Sequence, residues 1–215
     1  MKTLIAIPCM DMVHTDFLRA LVSLEVDGEI QFTTAQSSLI YDARNNLAEI
    51  AIEGGFDRIL WLDSDMIFEP STFRRLSEHL DLGKEFITGL YFSRKAPVRP
   101  VIYSRLWSEV TPQGLAAAHA DSFYDYPVDS LFQVEGCGFG CVMLNVDLLR
   151  RVRDRFGLPF APAGGFGEDL SFCLRVRELG AEIWCDSTIK LGHVGTAIYD
   201  EDTYRAVSGL NTAQS

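Results

Sequence analysis

The chain has 215 residues, 47% of them hydrophobic, which suits one α/β domain with a full core and argues against a disordered chain. Its net charge of −11 argues against a nucleic-acid backbone or an anionic lipid surface as the main partner, because both require clustered Lys and Arg. Pro8 interrupts the apolar N-terminus too early for a signal peptide, and no apolar run approaches the ~20 residues of a membrane helix. We therefore expect a soluble, cytoplasmic protein without a membrane span.

The first half of the chain alternates short apolar runs, typical of strands, with segments of helical spacing. This βαβαβαβ order predicts a mixed sheet whose parallel part comes from residues 3–91, with helices on both faces. The predicted elements are strands at 3–7, 29–34, 57–62 and 85–91, and helices at 15–25, 41–53 and from Pro70 to about residue 80.

The second half is less regular, and residues 104–130 show no long periodic run. No linker or internal repeat divides the chain, so we expect one domain, 1–215, with an α/β fold of Rossmann type. The predicted elements are strands near 99–103 and at 131–135, 139–145 and 182–186, helices at 146–156 and 168–179, a loop at 157–167, and a tail that carries His193.

Asp63 and Asp65 follow the apolar strand of LWLDSDMIF, residues 60–68. Ligands of open α/β sheets bind beyond the carboxyl ends of the strands, and carboxylates suit hard cations such as Mn²⁺ or Mg²⁺. The alternative is a polar turn, since Asp and Ser are common in turns. A divalent metal would also supply the local positive charge that an acidic protein needs to bind a diphosphate.

A second pair of acids, Glu168 and Asp169, begins a helix after the Gly-rich residues 164–167. The helix N-terminus favours ionised carboxylates, and the glycines let a mobile loop approach a ligand. Acids at this position are also common as simple helix-start residues. His193, in a glycine-flanked tail, is a further candidate metal ligand, because a neutral imidazole binds Mn²⁺-type ions.

Arg44 lies near the start of the helix that follows the second strand. An arginine and a helix N-terminus together suit a diphosphate or nucleotide. We expect Arg44→Ala to weaken nucleotide binding with little loss of melting temperature. The alternative is an exposed arginine without a role.

Together and in this order, the motifs resemble nucleotide-sugar glycosyltransferases of the GT-A fold, especially family-2-like bacterial and viral enzymes. The resemblance covers nearly the whole chain and rests on six segments: IAIPC, ARNNLA, LWLDSDM, GFGCVMLN, GEDLSFCLRVRELG and LGHVG. It implies a donor half at 1–103 and an acceptor and catalytic half at 104–215. The short region 104–130 departs from the family and leaves the acceptor open.

The resemblance implies a UDP- or GDP-sugar donor, a glycan or other hydroxyl acceptor, and Mn²⁺ or Mg²⁺ as cofactor. Asp169 is then expected as the general base, with inversion at the anomeric carbon. Glu168 is expected to orient the acceptor or the start of the helix. The metal is expected on Asp63, Asp65 and His193. The expected donor-binding residues are Pro8, Cys9, Met10, Arg44, Asp63, Ser64 and Asp65.

Two other functions are also compatible with these motifs. A phosphatase or phosphotransferase of the haloacid-dehalogenase type also places a DxD motif after a strand, and uses its first Asp as nucleophile. However, that motif takes Thr or Val where this chain has Ile67, and it usually follows the first strand. The other alternative is a module that binds a nucleotide sugar without catalysis, which would place Asp169 far from the metal.

Overall fold

A computed structural model describes residues 1–195 and 198–208, so the end of the predicted acceptor half, 209–215, lies outside the described residues. Within them, no helix is both long and apolar enough to cross a membrane. The helices are α1 (Thr15–Val22), α2 (Ile40–Glu53), α3 (Thr72–Asp81), α4 (Val146–Phe156), α5 (Glu168–Glu178) and α6 (Glu201–Ser208). The strands are β1 (Lys2–Cys9), β2 (Glu29–Gln36), β3 (Arg58–Leu62), β4 (Met66–Ile67), β5 (Phe86–Leu90), β6 (Ile102–Val110), β7 (Ala116–Ser122), β8 (Leu131–Val134), β9 (Gly136–Cys137), β10 (Cys141–Asn145), β11 (Ile183–Lys190), β12 (Gly192–Val194) and β13 (Ile198–Tyr199).

Seven strands form a central mixed sheet in the order β2-β1-β3-β10-β5-β11-β8. β1 pairs in parallel with β2 and β3, and β5 pairs in parallel with β11. The expected α/β fold, a mixed sheet flanked by helices, is therefore confirmed. The expected limit of its parallel part is wrong, because β11 lies beyond residue 91 and β10 runs antiparallel between β3 and β5.

The core explains why β3 lies at the centre of the sheet. All five of its residues are buried, and their side chains alternate between the two faces. Ile59 and Trp61 belong to the apolar cluster that includes residues of α2, α4 and α5, whereas Leu60 and Leu62 belong to the cluster that includes residues of α1 and α3. A strand buried on both faces carries apolar residues throughout, as RILWL nearly does.

Several predicted boundaries need correction. Helix α1 ends at Val22 rather than at residue 25, and its N-cap is His14 rather than Thr15. Helix α3 begins at Thr72 after a turn that contains Pro70. The region 104–130, predicted to be irregular, contains most of an antiparallel hairpin of β6 and β7, whose mostly half-buried, Ala-rich second strand gives only a weak strand signal.

Candidate functional site

The carboxyl ends of β1 and β3 meet at one edge of the sheet, as expected for strands that pair in parallel. Pro8 and Cys9 end β1, while Asp63 and Ser64 directly follow β3. The loop after β1 is attached to this edge, because the His14 backbone N–H donates to the Ser64 carbonyl at 3.0 Å. Met10 lies in the same loop with 64% of its surface exposed. The residues expected to bind a donor therefore border one surface.

Arg44 is buried, with 2% of its surface exposed, and lies between two carboxylates. Its Nη2 donates to both Asp63 oxygens, at 2.9 and 3.2 Å, and its Nε donates to Glu168 Oε1 at 3.4 Å. Burial by itself lowers the pKa of Arg44, but the facing charges of Asp63, Glu168 and Asp169 raise it overall. The alternative of an exposed arginine is wrong. Because the guanidinium is buried between two carboxylates, we now expect its loss to lower stability, in contrast to the expectation from the sequence.

The two acids of the DxD motif face different partners. Asp63 binds Arg44, and burial raises its pKa although the guanidinium opposes this. Asp65 instead faces His193. Within the described part of the chain, no three His, Cys, Asp or Glu side chains form a group that could hold a metal ion. The expected set of Asp63, Asp65 and His193 is thus brought together only as the pair Asp65 and His193.

A short antiparallel pairing of β4 with β12 positions Asp65 and His193. His193 pairs with Met66, and the Val194 backbone N–H donates to the Asp65 carbonyl at 2.8 Å. The Nδ1 of His193 lies 2.8 Å from the Phe92 carbonyl, which can only accept, so Nδ1 carries a proton. In the neutral ring, the Nε2 lone pair then faces Asp65 Oδ2 at 3.6 Å.

Arg94 also contacts Asp65, and sequence reasoning missed it. Its guanidinium pairs with the same Oδ2 atom and donates to the Val194 carbonyl at 3.3 Å. Burial alone raises the pKa of Asp65, but His193 when it is protonated and the charge of Arg94 lower it below its usual value. The signal in the sequence is the cluster of three cations within residues 94–99.

Tyr91 connects the two parts of the site. Its hydroxyl accepts a hydrogen bond from the Gly140 backbone at 3.2 Å, and its ring packs edge-on against His193 with the centroids 5.5 Å apart. Burial, followed by the charges of Asp63 and Asp169, raises its pKa well above 10. A Cβ at Gly138 would lie 2.0 Å from the Tyr91 hydroxyl, so that glycine leaves room for the tyrosine.

Asp169 is the second residue of α5 and lies beside the pair of Arg44 and Glu168. Burial, and then the Glu168 charge, raise the pKa of Asp169 to about 6, although its Oδ1 accepts a hydrogen bond from the Leu170 backbone at 2.7 Å. The helix start was expected to favour the ionised form, but burial has the larger effect. Ser171 anchors the preceding loop, which was expected to be mobile, since its Oγ accepts from the Ala163 backbone N–H at 2.9 Å.

Comparison with known proteins identifies the fold only. No protein-family model matches the chain, and no curated protein matches it. Among solved structures with a similar fold, A197 from STIV has a TM-score of 0.65 and 19% sequence identity, covering 91% of this chain and 86% of that chain. At this identity, the likeness supports a shared architecture and carries no information about the reaction.

Proposed function

We propose that the protein is a metal-dependent glycosyltransferase that transfers a sugar from a nucleotide-sugar donor to an acceptor hydroxyl. The observation that carries the proposal is the pair of Asp65 and His193 at the edge where β1 and β3 end. Open α/β sheets bind nucleotides at such an edge. The five cysteines are free thiols, which is consistent with a reducing compartment such as the cytoplasm.

Asp65 and His193 fit a divalent metal. Because Mg²⁺ binds its ligands at about 2.0–2.1 Å, two ligands of one such ion lie at most about 4.2 Å apart. The His193 Nε2 and Asp65 Oδ2 atoms are 3.6 Å apart and meet this condition. One nitrogen and one carboxylate oxygen form a donor set that suits Mn²⁺. When bound, the ion would supply positive charge opposite the departing diphosphate.

Asp169 is the proposed general base. The acceptor hydroxyl transfers its proton to an Asp169 oxygen as the acceptor oxygen bonds to the anomeric carbon and the nucleoside diphosphate leaves. With a pKa of about 6, the carboxylate is mostly ionised at neutral pH and more basic than an ordinary Asp. Glu168 and Asp63 are held by Arg44, so they position the site. Asp169 is the acid of this cluster that has no ion-pair partner among the described residues.

The same geometry disfavours the phosphatase alternative. A nucleophilic first Asp needs a free oxygen, but both oxygens of Asp63 accept hydrogen bonds from the Arg44 guanidinium. The binding-only alternative would need the acids of α5 to lie away from the metal motif, and the Arg44 bridge joins Glu168 to Asp63.

Thermal denaturation with a panel of UDP- and GDP-sugars, each with and without Mn²⁺, tests the proposal. A true donor should raise the melting temperature by mass action, and mainly when Mn²⁺ is present. His193→Ala should abolish the metal-dependent part. His119→Ala is the matched control, because that histidine pairs with Glu109 on the β6–β7 hairpin. The proposal fails if no donor stabilises the wild type with Mn²⁺, or if both variants respond alike.

A further inference from the structure

A cavity of about 450 Å³ lies where β5 ends, beside the pair of Asp65 and His193. Residues 91–103 supply nearly all of its wall, and His193 supplies the remainder. Its lining combines cationic residues, two tyrosines and a histidine: Arg94, Lys95, Arg99, Tyr91, Tyr103 and His193. A cationic wall is unexpected in a chain with 30 acidic and 19 basic residues, and it suits a negatively charged ligand.

Hydrogen bonds of Ser93 join the two ends of the loop of residues 93–99, which carries the three cations. The Ser93 backbone N–H donates to the Arg99 carbonyl at 2.8 Å, and the Arg99 backbone N–H donates to Ser93 Oγ at 3.1 Å. The same hydroxyl lies 3.3 Å from the Lys95 carbonyl. These contacts place all three cations of residues 94–99 on one turn, so a ligand would meet an ordered arrangement.

The side chains of Lys95 and Arg99 have no carboxylate partner in the described part of the chain, although most Lys and Arg residues there do. The third cation, Arg94, neutralises Asp65. Arg99 also lies close enough to Tyr103 for its charge to lower the pKa of that hydroxyl, which burial raises overall. Two cations without a carboxylate partner therefore line the cavity beside Tyr91 and Tyr103, and such cations form strong hydrogen bonds to an anion.

The position of the cavity distinguishes it from the proposed donor surface. That surface lies at the ends of β1 and β3, whereas the cavity lies at the end of β5, with β10 between β3 and β5. His193 lines the cavity and also faces Asp65. A donor bound over β1 and β3 with its phosphates at Asp65 would leave the cavity to the second substrate.

We propose that this cavity binds the phosphate or carboxylate group of an anionic acceptor, with Lys95 and Arg99 as the residues that recognise the charge. This assignment rests on the proposed glycosyltransferase function and adds the chemical class of its acceptor. The anion fixes one end of the acceptor beside the metal pair, so that a hydroxyl elsewhere on the same molecule reaches Asp169. An uncharged acceptor would leave both cations without a partner.

Titration calorimetry with three sugars tests the anion preference: glucose 1-phosphate, glucuronate and uncharged methyl glucoside. The wild type should bind at least one of the two anions at least about tenfold more tightly than methyl glucoside, since a hydrogen bond to a charged group is stronger than one between neutral groups. The double variant Lys95→Ala, Arg99→Ala should lose this preference.

The control Lys84→Ala, Arg155→Ala removes the same charge elsewhere and should keep the preference, since Lys84 lies over Trp184 and Arg155 pairs with Glu178. The proposal is overturned if neither anion is preferred, or if both double variants lose the preference equally.

Binding of UDP and GDP in the presence of Mn²⁺ separates the acceptor from the donor. The Lys95→Ala, Arg99→Ala variant should bind the wild type's preferred nucleoside diphosphate with unchanged affinity. A loss as large as that for the sugar anion would overturn the acceptor assignment, because the cavity would then hold the donor's diphosphate. If neither nucleotide binds the wild type, the glycosyltransferase proposal fails and the acceptor assignment fails with it, whereas the sugar titrations still decide whether the cavity binds anions.

Discussion

Arg44 bridges Asp63 and Glu168, and thereby joins the DxD motif after β3 to the helix that carries Asp169. Its side chain is 3% exposed, and those of Asp63 and Glu168 are 29% and 16% exposed. The guanidinium lies 5.3 Å from the ring centre of Phe139 and 5.8 Å from that of Trp61. A cation in this position supports both the fold and the arrangement of the site.

Arg44→Ala should therefore destabilise the protein strongly. Removal of one partner from a buried ion pair typically costs about 3–5 kcal/mol, because the remaining charges stay buried without compensation. Urea denaturation monitored by circular dichroism measures the change in the free energy of unfolding. Arg153→Ala is the control, because Arg153 also faces several carboxylates but lies at the surface, where the loss should be small. Equal losses for the two variants would contradict the assigned role of Arg44.

The spacing of the apolar residues in α2 is a signal for the burial of Arg44. Arg44 shares its helix face with Leu47, Ala48 and Ala51, all of them fully buried, at the i, i+3, i+4 and i+7 spacing. A charged residue on such a face is buried together with its partners. The helix alone leaves the exposed arginine open as an alternative, because arginine is rarely buried unless paired and the partners of Arg44 lie 19 and 124 residues away in the chain.

Arg94 and a bound metal ion would compete for Asp65, and from this we predict how three substitutions change the affinity for Mn²⁺. Asp65→Asn and His193→Ala should each weaken Mn²⁺ binding, since each removes a ligand. Arg94→Ala should strengthen it, because the guanidinium occupies the same carboxylate oxygen that faces His193. Electron paramagnetic resonance of free Mn²⁺, titrated with protein, measures these affinities without any substrate. Weaker Mn²⁺ binding in Arg94→Ala would show that Arg94 supports the ion and does not compete with it.

The Tyr91 hydroxyl lies so close to Gly138 that a substitution of this glycine tests the packing at the site. Gly138→Ala should destabilise the protein by about 1–3 kcal/mol, as overpacking typically does, because the new methyl group would overlap the Tyr91 hydroxyl. Tyr91→Phe removes the clashing oxygen, so the double variant should recover part of the loss. Urea denaturation of the four proteins gives the coupling energy. Simple additivity of the two single changes would rule out this contact.

The parts of the site that the sequence predicts are those marked by a pattern of neighbouring residues. The apolar strand before Asp63 and the Gly-rich start of α5 are local patterns, and both were identified. The antiparallel insertion of β10 between β3 and β5 was not predicted, since strand partners are set by packing across the whole sheet. Arg94 was missed for a similar reason, because the loop from β5 to β6 brings it back to a carboxylate 29 residues earlier in the chain.

Asp169→Asn should lower turnover by about 10²–10⁴-fold and leave donor affinity unchanged, because the amide keeps the shape but cannot accept the proton. Glu168→Gln should cost less, since Glu168 binds Arg44. With the ionised carboxylate as base, kcat/KM of the wild type should fall as the pH drops through about 6, the pKa of Asp169. Initial rates across pH 5–8 with the identified donor and acceptor measure both effects. Near-normal turnover of Asp169→Asn would assign the base elsewhere.

The same substitution should stabilise the protein above pH 6. The folded-state pKa of Asp169 is about 6, above an unfolded value of about 3.9, because burial and the Glu168 and Asp63 charges outweigh Arg44. Ionisation is therefore costlier in the folded protein, and the contribution of Asp169 to stability falls as the pH rises from about 4 to 6, by at most about 3 kcal/mol. Asp169→Asn lacks this loss, so its free energy of unfolding relative to the wild type should rise over that interval and level off above it.

Asp147→Asn is the matched control, since Asp147 is also an acid in the first turn of a helix but its side chain is 70% exposed. Urea denaturation at pH 4, 5, 6 and 7 measures the trend, and a constant difference between Asp169→Asn and the wild type would mean that Asp169 ionises as readily in the folded as in the unfolded chain.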